Sequence, residues 1–258
     1  MALITCNFHS DSLGFGASMT VILPERTKSQ IGIEHGAVGK KHPVLYLLHG
    51  LSDDDTIWLR RTSIERYVAG MGLAVVMPNV HRSFYADMAY GGQYWTFLTE
   101  ELPSIAGSFF PLSDARSDNY VAGLSMGGYG AFKWALSYPE RFAAAGSLSG
   151  VLDLAKHQNG RFQRDMQLAF GDLPISGSGN DLLELLERNR NSAAELPDLY
   201  QCCGTEDHLY EDNVTFRTAC EAANVDLHYE EGPGAHNWGY WDAQIQRFLA
   251  RLPIASER

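Results

Sequence analysis

Apolar residues along this chain fall into two rhythms, short unbroken runs and longer stretches with helical spacing. Val44-Leu45-Tyr46-Leu47-Leu48 and Leu73 to Met77 are unbroken runs, closed by His49-Gly50 and by Pro78-Asn79. Such a run, ended by a turn signal, suits a central parallel strand covered on both faces. Asn119 to Leu124, Ala143 to Leu148, Leu199 to Cys203 and Val225 to Glu230 read as further strands. Leu3 to His9 and Ser18 to Leu23, the latter closed by Pro24, predict two opening strands. Helices are expected between them. Thr62-Ser63-Ile64-Glu65 has capping-box spacing for a helix through Val68. A longer helix is expected from Trp95 to Phe109, bent at Pro103, and another from Leu209 to Ala223. In the last segment Trp241, Ile245, Phe248, Leu249 and Leu252 share one face of a helix.

Alternating strands and helices imply an α/β fold: a mostly parallel central sheet flanked by helices, with the first strands antiparallel. At 258 residues the chain fits a single domain spanning 1–258. Residues 25–42 are polar and glycine-containing, and are expected to form a long exposed hairpin loop. Within 149–196, Leu182, Leu183, Leu185 and Leu186 suggest one helix, in a region that leaves the sheet and returns. That region is the candidate small cap over a site.

Composition narrows the range of partners. A net charge of −11 argues against nucleic acid and anionic membrane surfaces. No stretch approaches the ~18 uninterrupted apolar residues of a membrane span. No basic segment followed by an apolar run opens the chain, so no secretory leader is read and the cytoplasm is the expected location. Cys6, Cys202, Cys203 and Cys220 are too few for a disulfide framework. Cys202 and Cys203, inside an apolar run, read as small buried hydrophobes. No His-Glu-x-x-His or Cys-x-x-Cys pattern occurs, so no catalytic metal is expected. Asp53-Asp54-Asp55 invites a calcium reading, but three consecutive carboxylates point in different directions and read better as a solvated acidic turn. Asn213-Val214-Thr215 matches a glycosylation acceptor, which has no use without a leader.

The chemistry concentrates at Gly123-Leu124-Ser125-Met126-Gly127, which follows a strand and opens a helix. That context marks a nucleophile elbow, in which a strained turn lifts the serine hydroxyl above the sheet. A Cβ at Gly123 or Gly127 would collide with the neighbouring helix or strand. Ser125 then needs a base, and His236 lies in Gly232-Pro233-Gly234-Ala235-His236, between the last strand and the last helix. For the acid, Gly204-Thr205-Glu206-Asp207 follows its strand directly. Asp207 is favoured over Glu206, and Asp212 is the fallback. The backbone N–H groups of Met126 and of Leu51, in His49-Gly50-Leu51, are the candidate oxyanion donors. Trp58, Tyr90, Trp95, Tyr129 and Trp238 lie near these motifs and are candidate walls of an acyl pocket, though aromatic residues also serve as core.

The chain resembles the α/β-hydrolase superfamily and, more narrowly, the esterase D family, closest to bacterial tributyrin esterases. Pro43 to Ser52, Trp58 to Arg66, Glu100 to Pro103, Gly123 to Gly130, Cys203 to Tyr210 and His236 to Trp238 carry the likeness, in that order. The resemblance implies a cofactor-free serine esterase of short acyl esters. Its triad would be Ser125, Asp207 and His236, with Leu51 and Met126 at the oxyanion and a homo-oligomer as a possible assembly. S-formylglutathione hydrolases and sugar-ester deacetylases share that family. The first group usually carries Gly-His-Ser-Met-Gly-Gly-His-Gly, where this chain has Leu124 and Tyr129 in place of both histidines. Acyl transfer to an acceptor other than water is a further alternative.

Overall fold

The computed structural model describes residues 1–25, 31, 41–158, 160, 162–190 and 196–254. Eight strands form one sheet: β1 (Ala2–Ser10), β2 (Phe15–Leu23), β3 (Val44–Leu48), β4 (Ala74–Pro78), β5 (Asn119–Leu124), β6 (Ala144–Leu148), β7 (Asp198–Gly204) and β8 (Leu227–Gly232). Their spatial order is β1-β2-β4-β3-β5-β6-β7-β8. β2 pairs antiparallel with β1 and β4, and every other pairing is parallel. Crossovers between parallel strands need helices, and these cover both faces.

On one face lie α1 (Ile57–Arg61), α2 (Ile64–Val68) and, from the end of the chain, the helix Trp238–Arg251. The other face carries α3 (Tyr94–Thr96), a π turn (Phe97–Glu101), α4 (Leu102–Phe109), α5 (Met126–Ser137), α6 (Gln163–Phe170), α7 (Leu182–Asn189) and α8 (Tyr210–Ala223). Trp238–Arg251 is therefore α9 in chain order. The five residues of β3 divide between the layers, Val44, Tyr46 and Leu48 facing one and Leu45 and Leu47 the other. A strand buried on both faces has no polar position to spare, which is why its run is unbroken. Trp241, Ile245, Phe248, Leu249 and Leu252 are all buried along α9, as their spacing predicts.

Local details differ from expectation. The Thr62 hydroxyl accepts the Ile64 N–H at 3.2 Å, with Ser63 in the capping position, so the reciprocal box with Glu65 does not form. The irregularity near Pro103 precedes the proline as the π turn. Pro103 lacks an N–H for the Thr99 carbonyl, and the Arg141 guanidinium supplies the donor instead. β8 begins at Leu227 because Asn224, at φ 53°, closes α8 and the Val225 N–H returns to the Cys220 carbonyl at 2.9 Å. The 149–196 region holds two α-helices among its described residues, α6 as well as the expected α7. α6 is only eight residues long, and Met166, Ala169 and Phe170 alone mark its buried side. The expected hairpin loop over 25–42 lies mostly outside the described residues. No helix among the described residues is long and apolar enough to cross a membrane.

Candidate active site

Parallel strands place their carboxyl ends on one edge of the sheet, and the loops that follow β3, β5, β7 and β8 converge there. β5 delivers Ser125 at φ 53° and ψ −118°, a conformation costly for any residue with a Cβ. Two glycines permit the turn. A Cβ on Gly123 would stand 2.4 Å from the Gly127 carbonyl oxygen, and one on Gly127 2.5 Å from that of Leu48.

Ser125 Oγ lies 3.1 Å from His236 Nε2. His236 Nδ1 lies 2.9 and 3.0 Å from the two carboxylate oxygens of Asp207. Asp207 is buried and also accepts the Leu209 N–H at 2.9 Å, so it closes its own turn while it faces the imidazole. Burial pushes its carboxyl pKa up. The hydrogen bond and charge of His236, with the Leu209 N–H, outweigh burial and hold it below the usual range. The loops carrying the two residues are joined, since Thr205 N–H donates to Gly232 and Glu206 N–H to Gly234, each at 2.9 Å. Asp212, the fallback acid, is turned to His157 and Lys156 at 2.5 and 3.4 Å.

The loop after β3 is tied down carbonyl by carbonyl. Trp58 Nε1 donates to Leu48 at 3.1 Å, the Tyr85 hydroxyl to His49 at 2.9 Å, and the Asp53 N–H to Gly50 at 3.2 Å. His49 is buried. Its Nε2 accepts the Val80 N–H at 3.0 Å, which leaves Nδ1–H to donate to the Gly50 carbonyl at 2.7 Å. Burial lowers its pKa and favours that neutral tautomer. In a trans peptide the N–H points opposite to the C=O, so the Leu51 N–H is directed away from His49. Neither the Leu51 nor the Met126 N–H donates to a protein acceptor among the described residues.

A cavity of about 590 Å³ opens over Ser125. Leu124, Met126, Val151, Phe162, Trp238 and Trp241 give it apolar walls, and Leu51, Asp53, Arg82 and His236 also border it. Of the five aromatic residues read as pocket walls, Trp238 alone lines this cavity. Trp58 is 1% exposed, spent on the Leu48 carbonyl and packed edge-on to Trp238. Tyr129 is fully buried, and its hydroxyl donates to the Asn180 carbonyl at 2.8 Å. Trp95 lies under the Lys133 ammonium and stacks on Tyr138. Tyr90 is 63% exposed, outside the cavity. Sequence reasoning missed Arg82, Phe84, Val151 and Phe162. Their segments carry no periodic signal, and only the folded path of the chain brings them to Ser125.

The carboxylates of the acidic run do point in different directions, but the run is not the solvated turn expected, because one of the three is buried. Asp55 is buried under the Ser18 and Thr20 hydroxyls, Asp54 accepts from Thr56 and Arg60, and Asp53 borders the cavity. Asp207, His208 and His236 are a grouping with metal-ligand spacing among the described residues, their ligand atoms within 4.8 Å of one another. Asp207 and His236 already satisfy each other there.

The Esterase family model matches residues 16–252. The chain belongs to that family. This esterase is similar to the acetyl esterase of Caldicellulosiruptor saccharolyticus, 29% identical over 95% of this chain and 96% of the other. It superposes on Staphylococcus aureus FphF, a fluorophosphonate-binding serine hydrolase, with a TM-score of 0.88 and 39% identity, covering 97% of this chain and 98% of that one. It also superposes on the S-formylglutathione hydrolase FrmB of the same organism, with a TM-score of 0.84, 39% identity and the same coverage. The esterase has the α/β-hydrolase fold and is an esterase D-like carboxylic ester hydrolase.

Proposed function

We propose that the esterase hydrolyses esters of short acyl chains, the tributyrin type included, by two-step acyl transfer through Ser125. One observation carries this reading: the continuous hydrogen-bonded series Ser125–His236–Asp207 ends in a cavity with apolar walls. His236, oriented by the hydrogen bond from Nδ1 to the Asp207 carboxylate, takes the Ser125 proton at Nε2 as Oγ attacks the ester carbonyl. The Leu51 and Met126 N–H groups receive the developing oxyanion, which their lack of a protein acceptor supports. His236 returns the proton to the departing alcohol. Water, activated by the same imidazole, then releases the acid and restores Ser125. At about 590 Å³ and with apolar walls, the cavity is of the size that encloses a small ligand, which favours short acyl chains. Four free cysteines, three of them buried, suit a reducing compartment such as the cytoplasm.

Thioester hydrolysis is the second reading, favoured by the likeness to FrmB. Tyr129 does not weigh against it, because that side chain is buried away from the cavity; Leu124 does border the cavity. The deciding experiment compares kcat/KM for acetyl and butyryl esters with that for S-formylglutathione, using Ser125→Ala as the blank. Preference for the oxygen esters, abolished in Ser125→Ala, supports the proposal. Preference for the thioester replaces it with the second reading, and undiminished turnover by Ser125→Ala removes both.

A further inference from the structure

The turn after β4 is strained in a way the triad does not explain. His81, Phe84 and Tyr85 have φ of 49°, 50° and 50°, and none is glycine. Such residues persist only where the surroundings over-determine them, and they gather at functional sites. Here the restraints are visible. Lys133 Nζ donates to the Tyr85 carbonyl at 2.8 Å, and the Tyr85 N–H donates to Ser83 Oγ at 3.1 Å.

The turn projects Arg82 into the cleft. Its Nε and Nη2 each lie 2.7 Å from one carboxylate oxygen of Asp165, on α6, and Nη1 lies 3.4 Å from the Leu51 carbonyl. Arg82 thus reaches from the loop that follows β3 to the cap helix. Beside it a second cavity of about 810 Å³ opens. Leu51, Ser52, Asp53 and Arg82 border both cavities, while His81, Arg164 and Asp165 border the second alone.

We propose that the Arg82–Asp165 pair is a partition that sets the size limit on the alcohol half of the ester. The second cavity is then the subsite that a large polar alcohol enters past it. This rests on Ser125 being the ester nucleophile. An ester has two arms, and charged walls from Asp53, Arg164 and Asp165 disfavour an alkyl acyl chain, which gives them no hydrogen bonds in exchange for water. A hydroxyl-rich alcohol does. The bidentate fork fixes the pair in one geometry, which a single-point contact would not.

The test keeps the butyryl group constant and compares kcat/KM for glucose 6-butyrate and ethyl butyrate. The full chain is used as wild type, Asp165→Ala, Asp165→Asn, Arg82→Ala and the double variant Arg82→Ala/Asp165→Ala. Opening the partition is expected to raise the glucose-to-ethyl ratio about tenfold in each single variant. The double variant should rise no further, because the two side chains act as one unit. Arg82→Lys keeps the charge but loses the fork, and should move the ratio in the same direction. Equal changes for both esters would mean that the pair only braces the cap, and would overturn the proposal. So would a shift in preference between ethyl butyrate and ethyl hexanoate with the alcohol ratio unmoved. A wild type that hydrolyses neither butyrate ester overturns the oxygen-ester reading and the partition with it.

Discussion

Lys133 offers a stability experiment whose size follows from its surroundings. The residue lies within α5 and is buried, with Nζ 2.8 Å from the Tyr85 carbonyl, 2.7 Å from Asn180 Oδ1 and 4.0 Å from the Trp95 ring centroid. Burial lowers its pKa from 10.5 to about 7, opposed only by the negative charge of Asp87. Between those two pH values the unfolded chain binds a proton that the folded protein does not. Unfolding takes up that proton, so raising the pH across the window penalises unfolding and the folded state gains stability. At about 1.4 kcal/mol per pH unit, the rise from pH 7 to 10 has an upper limit of about 4 kcal/mol. Lys133→Met keeps the bulk and removes the titration. Urea unfolding of both proteins from pH 6 to 10 gives the difference in stability at each pH, in which groups common to both cancel. That difference should grow in favour of wild type as pH rises above 7, and level off near 10.5. Curves that run parallel across the window would show that the buried amine titrates as it does in the unfolded chain, and the reasoning from burial would fail.

Other outcomes follow from the same geometry. Asp207→Asn leaves His236 without the acceptor that fixes its tautomer, and kcat should drop by about four orders of magnitude with little change in KM, read from steady-state kinetics. Since the Asp207 carboxyl is held below its usual range, its contribution to stability is present above that range and lost as pH falls through it. Acid unfolding of Asp207→Asn should therefore be less steep than that of wild type. Gly123→Ala places a Cβ 2.4 Å from the Gly127 oxygen, backbone against backbone. A loss of about 3 kcal/mol should appear in thermal or urea unfolding, together with a fall in kcat. Tyr129→Phe removes one hydroxyl that bonds the Asn180 carbonyl, so stability should fall by about 1 kcal/mol while kcat/KM stays within about twofold of wild type. A larger change in kcat/KM would place Tyr129 at the substrate after all.

What the sequence made legible was whatever is written locally. Gly123, Ser125 and Gly127 are five consecutive positions' worth of steric demand, so the elbow is visible without a fold. β3 and α9 announce themselves because each must bury a fixed rhythm of side chains. Chain order points to His236 and Asp207, and the structure brings both to Ser125. Of the expected pocket walls only Trp238 borders the cavity, because an aromatic side chain looks the same in sequence whether it faces a cavity or the core. Trp58 and Trp238 sit 5.3 Å apart, yet only one of them borders the cavity. Arg82 was invisible for a different reason. Its position depends on three residues with positive φ that carry no glycine to betray the turn. The capping box failed on geometry rather than composition, since the Thr62 hydroxyl donates to the Trp58 carbonyl at 2.6 Å and the cap falls one residue later, at Ser63.

β8 is the outermost strand of its side of the sheet, paired with β7 alone, and most of its residues are only half buried. Asp207 hangs from the end of β7 and His236 from the end of β8, so the proton relay straddles the last seam of the sheet. Edge pairings fray before central ones, at a free energy below that of global unfolding. On warming, the molecule should therefore fall silent while its centre is still folded. Turnover becomes a thermometer for one seam, and a protein that regains its far-ultraviolet signal on cooling has not recovered until that seam has closed.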